Sequence, residues 1–189
     1  MKNDPTSEPR IKVSKLDAAR RQLRTAIRLW FEDGDPVAIH TLIAAAYDIL
    51  HTLSRRKGAR DLIFDSRLIK DEYRRKWIKL NKSEAAFFKH ADYDPEGEID
   101  FVLFTNEFFM LFSMSALHKM NELLGLEENA FLKWFSINRS EFLKEGSKYE
   151  IPLDLLQYMR TLTRKEFFDA LSVIWAKDPR ALNMNLITG

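Results

Sequence analysis

The chain has 189 residues, of which 46% are hydrophobic and 31% are charged, and its formal net charge is +2. These values suit a folded domain with a sizeable hydrophobic core and exclude an intrinsically disordered chain. The absence of cysteine excludes disulfides and zinc–thiolate sites and favours a reducing, cytoplasmic location. No apolar signal segment follows the N-terminus, and polar residues interrupt the most apolar run, 101–120, so we expect no membrane partner.

Two helices are predicted at the start of the chain. The first runs over 15–33, and Gly34 stops it. Asp35 is placed to cap the second helix, Pro36 suits its first turn, and Gly58 follows its last periodic residue. The connection between them is short, so we expect an antiparallel helical hairpin.

The rest of the chain also has a helical pattern. A short extended segment is expected over 99–104, and Gly125 is expected to end the helix that Thr105 caps. The fold predicted is all-α: a single-domain bundle of about six helices over 14–180, with flexible tails at 1–13 and 181–189. Further helices are predicted over 61–80, 84–90, 105–124 and 127–144, from Pro152, and over 164–177.

Polar aromatic and imidazole side chains flank the apolar stripe of the second helix. His40, Tyr47 and His51 lie beside that stripe, and together with Lys89 they are our candidate ligand-binding residues. Eleven residues separate the two histidines, about 16 Å along a helix, so one metal ion cannot bridge them. The alternative is that each histidine packs beside the core and hydrogen-bonds to a neighbouring helix.

The most polar internal stretch is 90–98, HADYDPEGE. Its candidate catalytic residues are His90, Asp92 and Asp94, which could bind a divalent cation or act as an acid/base pair. Alternatively, Asp92 caps the preceding helix, and Asp94 with Pro95 sets a turn. We assign no catalytic residue here and predict no metal or cofactor.

Basic residues are concentrated in two places. Arg20, Arg24 and Arg28 share one flank of the first helix, and 74–76 (RRK) is the densest basic run. Such a surface can track phosphates, although a solvated helix face gives the same pattern. The chain has no glycine-rich phosphate loop, nucleophile elbow, HExxH, EF-hand loop or paired ExxH motif.

Two segments resemble a widespread group of uncharacterised bacterial helical proteins: AIHTLIAAAYDIL (38–50) and AFFKHADYDP (86–95). The resemblance covers about 15–124 and implies that both segments belong to one site or packing unit. More distantly, the chain resembles HEPN-type helical domains. This resemblance implies a homodimer whose partner is nucleic acid or a nucleotide. It lacks the arginine four to six residues before a histidine that HEPN nucleases carry.

Three functions are therefore open. The leading hypothesis is a cytoplasmic, HEPN-like binding or regulatory module that self-associates as a homodimer. Its surface would form where His40, Tyr47 and His51 face the 90–94 segment. The alternatives are a metal-dependent or nucleolytic enzyme that uses His90 with Asp92 or Asp94, and RNA or nucleotide binding through the basic helices.

Overall fold

The computed structural model describes residues 8–60, 62–63, 71–92, 94–142 and 152–182. Within these ranges the protein is all-α, as predicted, and contains seven α-helices and no β-strand, so the expected count of about six was one too low. Short 3₁₀ turns follow at Ser140–Phe142 and Pro179–Leu182. The helices are α1 (Lys15–Phe31), α2 (Pro36–Arg56), α3 (Asp71–Phe87), α4 (Thr105–Lys119), α5 (Leu126–Asn138), α6 (Leu153–Thr161) and α7 (Arg164–Lys177).

The core lies between α1, α2 and α4. Helix α2 packs against both of the others, and α5 and α7 cover α1 from the other side. The stripe predicted on α2 is confirmed in part. Its Ile39, Ile43, Ala46 and Leu50 are at most 2% exposed, whereas Leu42, Ile49 and Leu53 are half-buried. The flank that carries His40, Ala44, Tyr47 and His51 is buried in their place. Burial of these apolar side chains is the main stabilising contribution to the fold.

Capping residues fixed several helix starts where the sequence predicted them. The Asp35 carboxylate accepts a hydrogen bond from the Ala38 N–H at 2.8 Å, and Pro36 begins α2. Thr163 and Glu166 form the reciprocal capping box of α7, whose bounds agree with the predicted 164–177.

Other predicted boundaries were wrong. The described parts of the predicted helices over 61–80 and 84–90 form one helix, α3, from Asp71 to Phe87, because the helical backbone continues through 81–83. Helix α5 ends at Asn138, not 144. The expected extended segment 99–104 pairs with no strand among the described residues, and it ends in a turn in which the Thr105 N–H donates to the Val102 carbonyl at 3.0 Å. Thr105, expected to cap α4, is its first residue. Pro152, expected in the first turn of α6, is instead the residue that caps it. Residues 61, 64–70, 143 and 144 of the predicted helices lie outside the described ranges.

Three helices end in the same left-handed turn, at Asp33, Gly58 and Asn121, with φ of 52°, 88° and 60°. In each turn the next N–H reaches back to a carbonyl of the last helical turn, which satisfies an otherwise unpaired acceptor. Gly34 and Gly125 therefore do not end α1 and α4 as predicted. These bonds join Gly34 N to Leu29 O (2.8 Å), Ala59 N to Ser54 O (3.0 Å) and Glu122 N to Leu117 O (3.0 Å).

Gly125 instead precedes α5, where space is the constraint. A Cβ added there would lie 2.7 Å from the Arg24 guanidinium and 3.0 Å from the Glu128 carboxylate. The Gly125 N–H donates to that carboxylate at 3.0 Å. A larger residue would push apart the ion pair that joins α1 to α5.

The turn at Gly58 gives the first prediction. Gly58→Ala should lower the free energy of unfolding by about 1 kcal/mol, because an L-residue resists the left-handed backbone. No atom lies within 4 Å of the added methyl group, so the backbone alone causes the loss. Gly58→Asn is the control and should lose less, because asparagine tolerates this conformation. Urea denaturation measures both, and equal losses would contradict the explanation.

Candidate functional site

The His40 side chain is completely buried between α2 and α4. Its Nδ1 lies 2.9 Å from Asn106 Oδ1, while the Asn106 amide nitrogen donates to the carbonyl of Pro36 at 3.1 Å. The second bond fixes the amide so that its oxygen faces the imidazole. His40 Nδ1 therefore carries the hydrogen and donates to Asn106.

The other nitrogen of His40 points toward the end of α3. His40 Nε2 is buried without a hydrogen-bond partner, and it lies 3.9 Å from Glu84 Oε2. Three phenylalanines surround the ring edge-on, so the pair lies in an apolar enclosure. Their ring centroids lie 5.7 Å (Phe88), 5.0 Å (Phe101) and 5.4 Å (Phe109) from that of His40.

Burial shifts both titratable groups toward their neutral forms. Burial lowers the pKa of His40, a hydrogen bond to Asn106 opposes this, and the positive charge of Lys89 adds to the lowering. Burial raises the pKa of Glu84, against the effect of a hydrogen bond from the Val102 backbone. The IHTL helix and the AFFKH segment thus meet at His40, through the ring of Phe88 and the charge of Lys89, and Glu84 lies just before that segment.

Tyr47 has a structural contact. Its hydroxyl oxygen accepts a hydrogen bond from the Ile63 N–H at 2.7 Å, and the side chain is completely buried. The ring lies edge-on to Phe109 and 5.8 Å from the ring of His51. Tyr47 therefore ties the chain after α2 to the core, and it stands between the two histidines.

His51 lines a separate cleft at the C-terminal end of α2. The cleft has a volume of about 340 Å³. His51 is 8% exposed and the other lining side chains are exposed. Spacings of four residues place His51 with Arg55, and Thr52 with Arg56, on one patch of the helix. The lining residues are His51, Thr52, Arg55, Arg56 and Arg60.

The turn after α2 positions Arg60. The left-handed Gly58 reverses the chain, and the ammonium of Lys119 on α4 donates to the Arg60 carbonyl. Lys57 donates to the Met120 carbonyl at 3.3 Å. These contacts fasten the turn to the end of α4 and direct Arg60 back toward the end of α2.

The candidate catalytic residues lie on an exposed segment. His90, Asp92 and Asp94 are exposed, and the described residues contain no group of three or more His, Asp or Glu positioned to hold a metal ion. The Gly97 N–H donates to the Asp94 carbonyl at 2.9 Å, so Asp94 begins a tight turn. This is the alternative role that the sequence suggested for Asp94 with Pro95.

The arginine row of α1 lies against acidic residues near and within α5. Arg20 contacts Glu122 at 3.1 Å, Arg24 contacts Glu128 at 2.9 Å, and Arg28 Nε donates to Glu127 at 2.7 Å. The side chains of Glu127 and Glu128 are only 6% and 0% exposed. These arginines compensate buried carboxylates, so their charge is not freely available to a polyanion.

Sequence reasoning missed Glu84 and Asn106 beside His40, because a contact across 66 residues leaves no local signal. It also missed Arg55, Arg56 and Arg60 as site residues. Here a signal existed: the basic turn RRKGAR follows His51 and Thr52 at four-residue spacing on a predicted helix.

No protein-family model, no curated protein and no solved structure matches this chain. One described helix, α2, has the length and hydropathy of a membrane span, and half of that window is buried inside the protein. Core helices pass the same test of length and composition.

Asn106 provides a prediction for the buried site. Asn106→Ala should lower the free energy of unfolding by about 2 kcal/mol, because it leaves the buried Nδ1–H of the His40 ring unpaired. Asn138→Ala is the control, since that side chain makes one bond, to the Trp134 carbonyl at 3.0 Å, and is half-buried. Urea denaturation at neutral pH compares the two, and equal losses would argue against a special role of Asn106.

Proposed function

We propose that this protein is a binding module for a phosphate-bearing ligand, which it holds in the cleft lined by His51, Thr52, Arg55, Arg56 and Arg60. The observation that carries the proposal is the convergence of three arginines and a histidine on one open cleft. The ligand class is a nucleotide or a phosphorylated end of RNA. The ligand class is the one that the nucleotide-binding hypothesis expected from the sequence. The proposed binding site, however, lies at the end of α2 and not on the arginine row of α1.

The side chains present suit a phosphate. Arginine has a planar fork of N–H donors that matches phosphate oxygens in pairs, and such charge-assisted bonds are short and strong. The Thr52 hydroxyl adds a donor. The imidazole ring of His51 adds a further hydrogen-bonding group at the buried side of the cleft.

The dipole of α2 does not favour anion binding in the cleft. Carbonyl groups at the C-terminal end of a helix are electronegative, so α2 repels an anion at this position. Binding therefore depends on the arginines, which outweigh a partial charge of about half an electron. Removal of one arginine should have a large effect for that reason.

The size of the cleft favours a small ligand. Its volume of about 340 Å³ is near the lower end for small-molecule sites, which span about 300–1,000 Å³. A phosphate with part of an attached nucleoside fits this space better than a long stretch of polymer. RNA would therefore bind through one terminal phosphate.

Other functional hypotheses have less support. An enzyme built on His90 with Asp92 or Asp94 requires these side chains to converge, and they are exposed without forming a ligand group. Self-association, the cytoplasmic location and the relation to HEPN-type domains remain predictions from the sequence.

The test is titration calorimetry at low salt with inorganic phosphate, AMP and adenosine. Phosphate and AMP should bind and adenosine should not, because the arginines recognise the anion. Arg56→Gln and Arg60→Gln should each weaken AMP binding roughly tenfold, equivalent to about 1.4 kcal/mol for a lost charged hydrogen bond. Affinity should fall as salt is raised.

Arg75→Gln is the matched control, because it removes the same charge from an exposed residue on α3 outside the cleft. It should leave AMP affinity unchanged. An equal loss in all three variants would indicate general charge attraction and contradict the cleft. Adenosine binding as tight as AMP would contradict phosphate recognition.

A further inference from the structure

The heavy-atom positions of His40 and Glu84 leave open where the proton between these two groups lies. The Nδ1–H of His40 is used by Asn106, so a neutral ring presents a lone pair at Nε2 toward the Glu84 carboxyl group. If that carboxyl group is ionised, two acceptors face each other at 3.9 Å in an apolar enclosure. Such an arrangement is repulsive, because the buried ring of His40 cannot turn to solvent for a hydrogen bond.

A single proton converts this repulsion into a hydrogen bond. It can reside on the Glu84 oxygen, which then donates to Nε2, or on Nε2, which then donates to the carboxylate. Both arrangements contain the same number of protons. A change of the flexible Glu84 side chain closes the distance to that of an ordinary hydrogen bond.

We propose that His40 and Glu84 together hold one proton in the folded protein, and that this proton fastens the end of α3 to α2. The device goes beyond ligand binding in the cleft and does not depend on it. Its physical basis is a pair formed by the buried His40 and the half-buried Glu84, which is stable with one shared proton and unstable with none or two.

Few other charges act on the pair. Among the described residues, the charged groups that influence the His40 ring are Glu84 and Lys89, both from α3 and the turn after it. Helix α4 contributes the uncharged Asn106 and Phe109, and the segment before α4 contributes the Phe101 ring. The positive charge of Lys89 opposes a second proton on the pair.

The directions of the pKa shifts agree with one retained proton. The raised pKa of Glu84 keeps the carboxyl proton as the pH rises above the ordinary value of about 4.3. The lowered pKa of His40 resists a second proton as the pH falls below the ordinary value of about 6.5. In that window the unfolded chain also holds one proton, on its histidine, so folding neither takes up nor releases one.

Outside the window the proton balance changes. Above about pH 6.5 the unfolded pair has no proton, so folding must take one up and stability falls as the pH rises. Below about pH 4.3 the unfolded pair has two, so folding must release one and stability falls as the pH drops. The contribution of the pair is therefore greatest between these values.

The first experiment measures the urea midpoint from pH 5 to pH 8.5 for the wild type, Glu84→Gln and the control Glu96→Gln, an exposed glutamate in the 94–97 turn. In the Glu84→Gln variant the amide N–H donates to His40 Nε2, so this hydrogen bond needs no titratable proton. The folding constant of wild type and control should decrease by up to tenfold per pH unit above pH 6.5, relative to Glu84→Gln. Parallel profiles for all three proteins would overturn the proposal.

The second measurement does not depend on a variant that folds. Nuclear magnetic resonance at pH 6 reports the protonation state of Glu84 through the chemical shift of its carboxyl carbon, and that of His40 through the shifts of its ring nitrogens. The exposed rings of His90 and His118 serve as references. One proton should be found, either on the Glu84 carboxyl group or on His40 Nε2. An ionised Glu84 beside a bare Nε2 would overturn the shared proton.

Discussion

The structure depends on the pairing of polar side chains that α2 carries into the protein interior. Burial of an unpaired polar group costs more than a hydrogen bond gains, so each such group requires a partner from another element. His40 is paired with Asn106 on α4, and Tyr47 accepts a bond from the backbone of Ile63. These contacts fix the position of α2 relative to α4 and to the chain that follows, in addition to nonspecific apolar packing.

The two ends of α2 consequently have different chemistry. Near its start, His40 lies in an aromatic enclosure where charge is unfavourable and a shared proton is favoured. Near its end, His51 adjoins three arginines at an open cleft where an anion is favoured. The helix separates them by about three turns. The shared proton and the bound phosphate that we propose would therefore act at opposite ends of one helix without sharing a site.

Charge rows that look alike in sequence serve different purposes. Arg20, Arg24 and Arg28 recur every four residues and suggest a basic surface, yet they face glutamates near and within α5. Arg55, Arg56 and Arg60 lack such regularity but converge through the turn at Gly58. Local spacing predicts which side chains share a helix face. It does not predict what that face contacts.

The sequence by itself determined the features that depend on neighbouring residues. Asp35 with Pro36, and Thr163 with Glu166, predicted where α2 and α7 begin, because a cap and its N–H partner lie within one turn. The apolar stripe of α2 predicted part of its buried face in the same way, but not that the flank with His40 and Tyr47 is buried too. The sequence-based prediction placed the ends of α1 and α4 wrongly, because Asp33 and Asn121 can take the left-handed conformation that glycine usually provides.

Only the tertiary structure decided the sites. The contacts of His40 with Glu84 and Asn106, and of the α1 arginines with glutamates of α5, join residues 44 to 104 positions apart. No periodicity encodes such distances. They follow from how whole helices pack, and helix packing is set by the summed burial of many side chains and not by any one motif.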